Sequence, residues 1–123
     1  MGENKKMNIE ELKIKIYKKE KELNELKEQL KRISNYESII ILNTKTTLRN
    51  FDAIKSKIKS ICGNQKEAEE LGIKILAYEI KGNKKAFYFR FEWEGTSEIV
   101  SELENYFRIS NDILKFITVR IED

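Results

Sequence analysis

Residues 87 to 93 read Phe-Tyr-Phe-Arg-Phe-Glu-Trp, an alternation of aromatic and polar side chains with period two. Successive side chains of a β-strand point to opposite faces, so Phe87, Phe89, Phe91 and Trp93 share one face while Tyr88 and Arg90 share the other. So aromatic a face has to be covered by something. Immediately upstream, Ile73 to Ile80 forms a second apolar run, joined to the first through Lys81-Gly82-Asn83-Lys84. The Gly-Asn pair in that link supplies the positive backbone angles of a hairpin turn, and the two strands are expected to pair antiparallel.

Working outward, Tyr36 to Leu42 is rich in β-branched residues and meets a polar break at Asn43 to Thr46, which marks a first strand and the loop that ends it. Leu48, Phe51, Ile54, Ile58 and Ile61 then recur at intervals of three and four, and Cys62-Gly63 closes this amphipathic helix. Gly95-Thr96 opens a second helix bearing Ile99, Val100, Leu103 and Phe107, and Ile113 to Ile121 is the last strand. The order βαββαβ over residues 36–123 predicts an α+β fold, a ferredoxin-like antiparallel sheet with two helices on one face. The first strand, however, offers Tyr36, Ser38, Ile40 and Leu42 to one side and Ile39 and Ile41 to the other. One helix layer cannot cover both. With Phe116 or Ile117 adding to the side that lacks helices, that side is expected to be partly apolar. Either it is a surface for a partner or the chain's own leading helix lies across it, and the residues leave the two readings open.

That leading segment, residues 1–35, has a different character. It holds ten Lys plus Arg against seven Glu, which is the whole of the net charge of +3; residues 36–123 balance at zero and carry Trp93 and all six Phe. Ile9, Ile16, Leu23 and Leu30 form one series of spacing seven, and Leu12, Lys19, Leu26 and Ile33 form another. These are the two core positions of four heptads, a narrow apolar stripe about 40 Å long at ~1.5 Å per residue. In a parallel pair Lys15 faces Glu20 of the other helix and Glu22 faces Lys27, both attractive. Lys19 weakens the middle, and Ile14 and Tyr17 fall off the stripe. A strict heptad stripe is narrower than the face with which a globular helix docks on its own domain, so self-association through Ile9, Leu12, Ile16, Leu23, Leu26, Leu30 and Ile33 is the expectation. The Lys and Glu runs around it read as a solvated face.

Three separated motifs on these elements resemble the bacterial small-subunit ribosomal protein S6 family. They are Tyr36-Glu37 opening the first strand, Leu76-Ala77-Tyr78-Glu79-Ile80-Lys81 in the second, and Arg108-Ile109-Ser110-Asn111-Asp112-Ile113-Leu114-Lys115-Phe116 running on to Val119-Arg120. The resemblance spans essentially residues 36–123. It implies a ferredoxin-like, non-enzymatic structural component of the small ribosomal subunit that binds small-subunit ribosomal RNA together with small-subunit protein eighteen. Carried over by position, it marks Tyr36, Lys74, Lys115 and Arg120 as contacts to RNA or partner protein. From the residues alone, Lys81, Lys84, Lys85 and Arg90 are the nearest further basic group, although any of these charges is equally at home as an ordinary solvated side chain. The sequence departs from the family pattern in its added heptad helix and in Leu71-Gly72-Ile73-Lys74-Ile75, which has one positive charge where two are usual. A domain of net charge zero has no general attraction for nucleic acid, so any RNA contact is expected to be local.

The composition excludes other classes. With no His and one Cys, the common zinc sites, Ser-His or Cys-His nucleophile pairs and internal disulfides cannot be built from this chain. Cys62 as a nucleophile lacks an activating base and sits at a helix C-terminus, which disfavours a thiolate. The longest wholly aliphatic run, Ile39 to Leu42, is far short of the roughly 18 to 20 apolar residues of a membrane span. The expectation is therefore a cytoplasmic binding protein without cofactor, metal, membrane or small-molecule substrate. Its alternative to the ribosomal role is an off-ribosome relative acting as a coiled-coil dimer and protein-interaction module.

Overall fold

The computed structural model describes residues 6–47 and 50–122. The chain divides into two compact units, residues 1–32 and 33–123.

The first unit is one helix, α1 (Ile9–Lys31). Asn8 caps it, its Oδ1 accepting the Glu11 backbone N–H at 2.8 Å, and Glu10 and Glu11 place negative charge in the first turn, where the helix dipole favours it. At the far end the Arg32 backbone N–H donates to the carbonyl of Gln29, which tightens the last turn and ends the helix. Ile33 therefore stands outside α1, and the expected stripe loses its last core position. No residue of α1 is buried.

The second unit follows in the order β1 (Ser34–Asn43), a short turn of helix α2 (Thr44–Thr47), α3 (Phe51–Cys62), β2 (Glu67–Ile80), β3 (Asn83–Gly95), α4 (Ser97–Ile109) and β4 (Ile113–Ile121). The four strands form one antiparallel sheet in the order β2-β3-β1-β4. This is the ferredoxin-like arrangement expected from the sequence. α2 occupies the break expected as a loop, and Leu48, expected on the following helix, lies outside the described residues. Gly63, with φ of 77°, stops α3 and donates its N–H to the Lys59 carbonyl at 2.8 Å.

The alternation of β3 decides the core. Phe87, Phe89, Phe91 and Trp93 are buried, and by register they stand opposite Leu42, Ile40, Ser38 and Tyr36 of β1. Phe51, Ile54, Ile58 and Cys62 of α3 and Leu103 and Phe107 of α4 close over them. Phe51 meets Phe87 and Phe89 edge-on, with ring centroids 5.1 and 5.2 Å away, and Phe107 packs on Phe116 at 5.4 Å. Such pairs add roughly 0.5–1.5 kcal/mol each beyond the area they bury.

One buried polar group sits in this layer. Ser38 is fully buried; its Oγ accepts the Trp93 indole N–H at 3.0 Å and lies 2.8 Å from the Thr118 hydroxyl. The three residues come from β1, β3 and β4, so the hydroxyl ties the two central strands and one edge together.

The hairpin between β2 and β3 differs in register from the expectation. Its turn is Lys81-Gly82, with φ of 49° and 80°, and Asn83 already pairs with Ile80. The positive angles fall on Lys81 and Gly82 because a two-residue turn of this hand matches the twist of its strands. Asn83 contributes its side chain instead, its Nδ2 donating to the carbonyls of Ile80 and Lys81 at 3.2 Å each. β2 also begins six residues earlier than expected, at Glu67, with a bulge between Glu70 and Gly72.

Replacing Ser38 by Ala strands the Trp93 N–H in the core and is expected to cost about 1–3 kcal/mol in urea unfolding. Lys81→Asn, which places a residue tolerant of positive φ in the turn, is expected to raise stability by roughly 0.5 kcal/mol in the same measurement.

Candidate functional site

Because α3 and α4 lie on the aromatic face, the opposite face of the sheet carries the alternate residues of every strand. The register sets them in rows. Lys115 of β4 stands beside Ile41 and Tyr88; Ile117 beside Ile39, Arg90 and Glu69; Val119 beside Glu37, Glu92 and Glu67. Ile117 is 55% and Val119 45% exposed, and Ile39, Ile41 and Tyr88 are half-buried.

Charge divides this face in two. Arg90 Nε and Nη2 donate to Glu37 Oε2 at 3.1 and 2.9 Å, and Nη2 also donates to Glu92 Oε1. Its Nη1 lies 3.6 Å from Glu67 and 3.9 Å from Glu69. One guanidinium among four carboxylates leaves a local excess of negative charge. The hydrogen bond to Glu37, the largest influence, holds the guanidinium above its already high range, with burial opposing and Glu92 assisting. Nearby, Lys66 bonds to Asn35 Oδ1 at 2.8 Å and pairs with Glu94 at 2.9 Å.

The other half is apolar and basic. Lys74, paired with Ala86, and Lys115, paired with Ile41, are exposed on the two edge strands, with Tyr88 and Ile41 on the central strands between them. The two edge strands lie three strand spacings apart, about 14 Å at ~4.8 Å each, and the lysines are staggered along them by two residues. Among the described residues neither is paired with a carboxylate. Such a row can do two things chemically: neutralise phosphates at its ends and hold an apolar or planar group against Tyr88 and Ile41.

The structure thus sorts the residues singled out in the sequence. Lys74 and Lys115 share the open face. Tyr36 and Arg120 are cross-strand partners on the other face, where Tyr36 stacks on Trp93 with centroids 4.8 Å apart and belongs to the margin of the core. Arg90 is on the open face but is engaged by its carboxylates. Lys81, Lys84 and Lys85 lie on the β2–β3 hairpin beyond Ala86, the last β3 residue paired with β1, and Lys84 Nζ is 4.0 Å from Glu79. Tyr88 and the four glutamates around Arg90 were not singled out as site residues. The alternation of β3 carries the signal for Tyr88 and Glu92, whereas Glu67 and Glu69 lie where no strand pattern is visible.

The described residues include no group of three or more His, Cys, Asp or Glu placed to hold a metal ion. Cys62 is buried, its Sγ donates to the Ile58 carbonyl at 3.2 Å, and burial, the largest influence, pushes the thiol up to about 11. No helix among the described residues is long and apolar enough to cross a membrane.

Fold and face together define a small α/β-sandwich whose sheet is open on one side. The sequence model of the family described as Ribosomal protein S6 matches residues 35–120, and the chain belongs to that family. Small ribosomal subunit protein bS6 of Chelativorans sp. is 33% identical over 91 residues, covering 71% of this chain and 62% of that protein. The bS6 protein of Acidiphilium cryptum is 33% identical over 92 residues, covering 72% of this chain and 58% of that protein. The match therefore spans about three fifths of the length of these relatives. In structure, the chain is similar to 30S ribosomal protein S6 from Thermotoga maritima with a TM-score of 0.66 and 23% identity, over 72% of this chain and 88% of that one, a likeness of fold.

Removing the cation from the acidic half leaves four carboxylates facing one another. Arg90→Met is expected to unfold at lower urea concentration than the parent at neutral pH and low salt, and the difference is expected to shrink when sodium chloride screens the repulsion. A salt-independent loss would assign Arg90 a packing role only.

Proposed function

We propose that this chain is a component of the small ribosomal subunit, acting in the cytoplasm, and that it binds small-subunit ribosomal RNA together with small-subunit protein eighteen. What supports this reading is an open, partly apolar sheet face in a member of the ribosomal protein S6 family. On this reading Lys74 and Lys115 neutralise phosphates at the two edges of the face, and Tyr88 and Ile41 lie under the nucleotide or side chain between them. Of the hairpin lysines, Lys84 extends the same basic surface, whereas Lys81 lies in the turn and Lys85 alternates to the side of Phe87. The acidic half around Arg90 repels phosphate and suits a basic segment of the partner protein instead. Arg120, beside Tyr36, is a separate contact at the far end of β4 on the helix side.

A second reading, an off-ribosome protein-interaction module, is favoured by one observation: the heptad helix buries none of its own residues. The two readings part in the cell. A ribosomal component follows the small subunits through a sucrose gradient at stoichiometric levels; an off-ribosome module stays at the top.

In binding to purified small-subunit RNA, Lys74→Ala with Lys115→Ala is expected to lower the slope of log affinity against log salt by about 1.4 to 1.8, the loss of two phosphate contacts. An unchanged slope and affinity would remove both lysines from the interface.

A further inference from the structure

We propose that α1 pairs with α1 of a second copy of this chain as a parallel, in-register two-stranded coiled coil. The pairing is independent of what the sheet face binds.

α1 is a 23-residue helix with no buried residue. Its core positions Ile9, Leu12, Ile16, Leu23, Leu26 and Leu30 are between 45% and 70% exposed, and Leu12, Ile16 and Leu23, flanked by Lys15, Lys19 and Glu20, line an open groove along it. An apolar stripe at heptad spacing buries itself best in the holes of a like helix, which fixes the kind of occupant.

Charge complementarity identifies that occupant as a second copy and sets its direction. In a parallel pair each Lys15 faces Glu20 of the second copy and each Glu22 faces Lys27, so the two-fold axis makes four attractive contacts. Reversing one helix about the middle of the stripe sets Lys13 beside Lys27 of the second copy, Glu20 beside its own counterpart and Glu22 beside its own. Every one of those contacts is repulsive. Reversal also leaves Ile9 unmatched, because its partner position would be Ile33, which stands outside the helix. Lys19 alone favours reversal, since it would then face Leu23 rather than another Lys19. Its four-carbon stem, however, lets the ammonium reach water from a core position. Six matched aliphatic layers and four attractive pairs outweigh one like-charge layer.

A parallel coil carries both sheet domains at the same end, since only Arg32 and Ile33 separate α1 from β1. The dimer therefore offers two copies of the open face to a target.

Sedimentation equilibrium of the full chain at tens of micromolar is expected to give a dimer; a monomer would overturn the pairing. Direction is read by disulfides in a glutathione redox buffer. Leu30→Cys is expected to yield a covalent homodimer, whereas cross-linking confined to mixtures of Leu12→Cys and Leu30→Cys chains would overturn the parallel register. Lys15→Glu is expected to weaken dimerisation about tenfold, and adding Glu20→Lys to restore it to within about threefold. Lys19→Leu is expected to tighten it by at least about tenfold. A dimer indifferent to all three changes would place the contact elsewhere. Trp93 fluorescence checks in each variant that the sheet domain is intact.

Discussion

Two helices can cover only one face of a four-stranded sheet, and in this protein the aromatic face of β3 claims them. Phe87, Phe89, Phe91 and Trp93 present the largest apolar surface of any strand, and burying such rings is worth more than burying the aliphatic groups of the other side. α3 and α4 close over that layer with Phe51, Ile58, Leu103 and Phe107. Within it Ser38, the only buried polar residue among the described residues, is satisfied by Trp93 and Thr118.

What remains on the opposite face is a consequence of that choice. Ile39, Ile41, Ile117 and Val119 lie on the face away from α3 and α4, and Ile117 and Val119 are exposed there. The face is not uniform. At one end Arg90 gathers Glu37, Glu67, Glu69 and Glu92, a cross-strand network that stitches three strands together and gives its surroundings negative charge. At the other, Lys74 and Lys115 flank Tyr88 and Ile41. A domain whose total charge is zero thus presents two local charges of opposite sign on one face.

The leading helix obeys different physics. α1 is stabilised locally by its Asn8 cap, by acidic residues in its first turn and by the Glu28–Lys31 pair, not by burial. Most helical stability in proteins comes from packing an apolar face, and the six aliphatic residues of the stripe are the face that α1 has to offer.

Much of this was legible in the residues themselves. The period of seven over α1 announced a long leading helix and the period of two over β3 the buried ring layer, because periodicity is a property of the chain and survives without knowledge of neighbours. The three family motifs did the same for the ribosomal resemblance. The hairpin turn was placed one residue late, since both Gly-Asn and Lys-Gly can occupy it and the register of Ile80 against Asn83 decides between them. The start of β2 was invisible, because Glu67-Ala68-Glu69-Glu70 has no strand propensity and becomes a strand only through pairing with β3 and through Arg90 across the sheet. For the same reason the residues alone do not show that Arg90 is held by carboxylates of three strands or that Tyr36 stacks on Trp93. Sequence determined which groups are apolar, how they alternate and where the helices run; tertiary structure alone decided that Arg90 is neutralised by Glu37, Glu67 and Glu69, since these come from strands far apart in the chain and leave no local pattern.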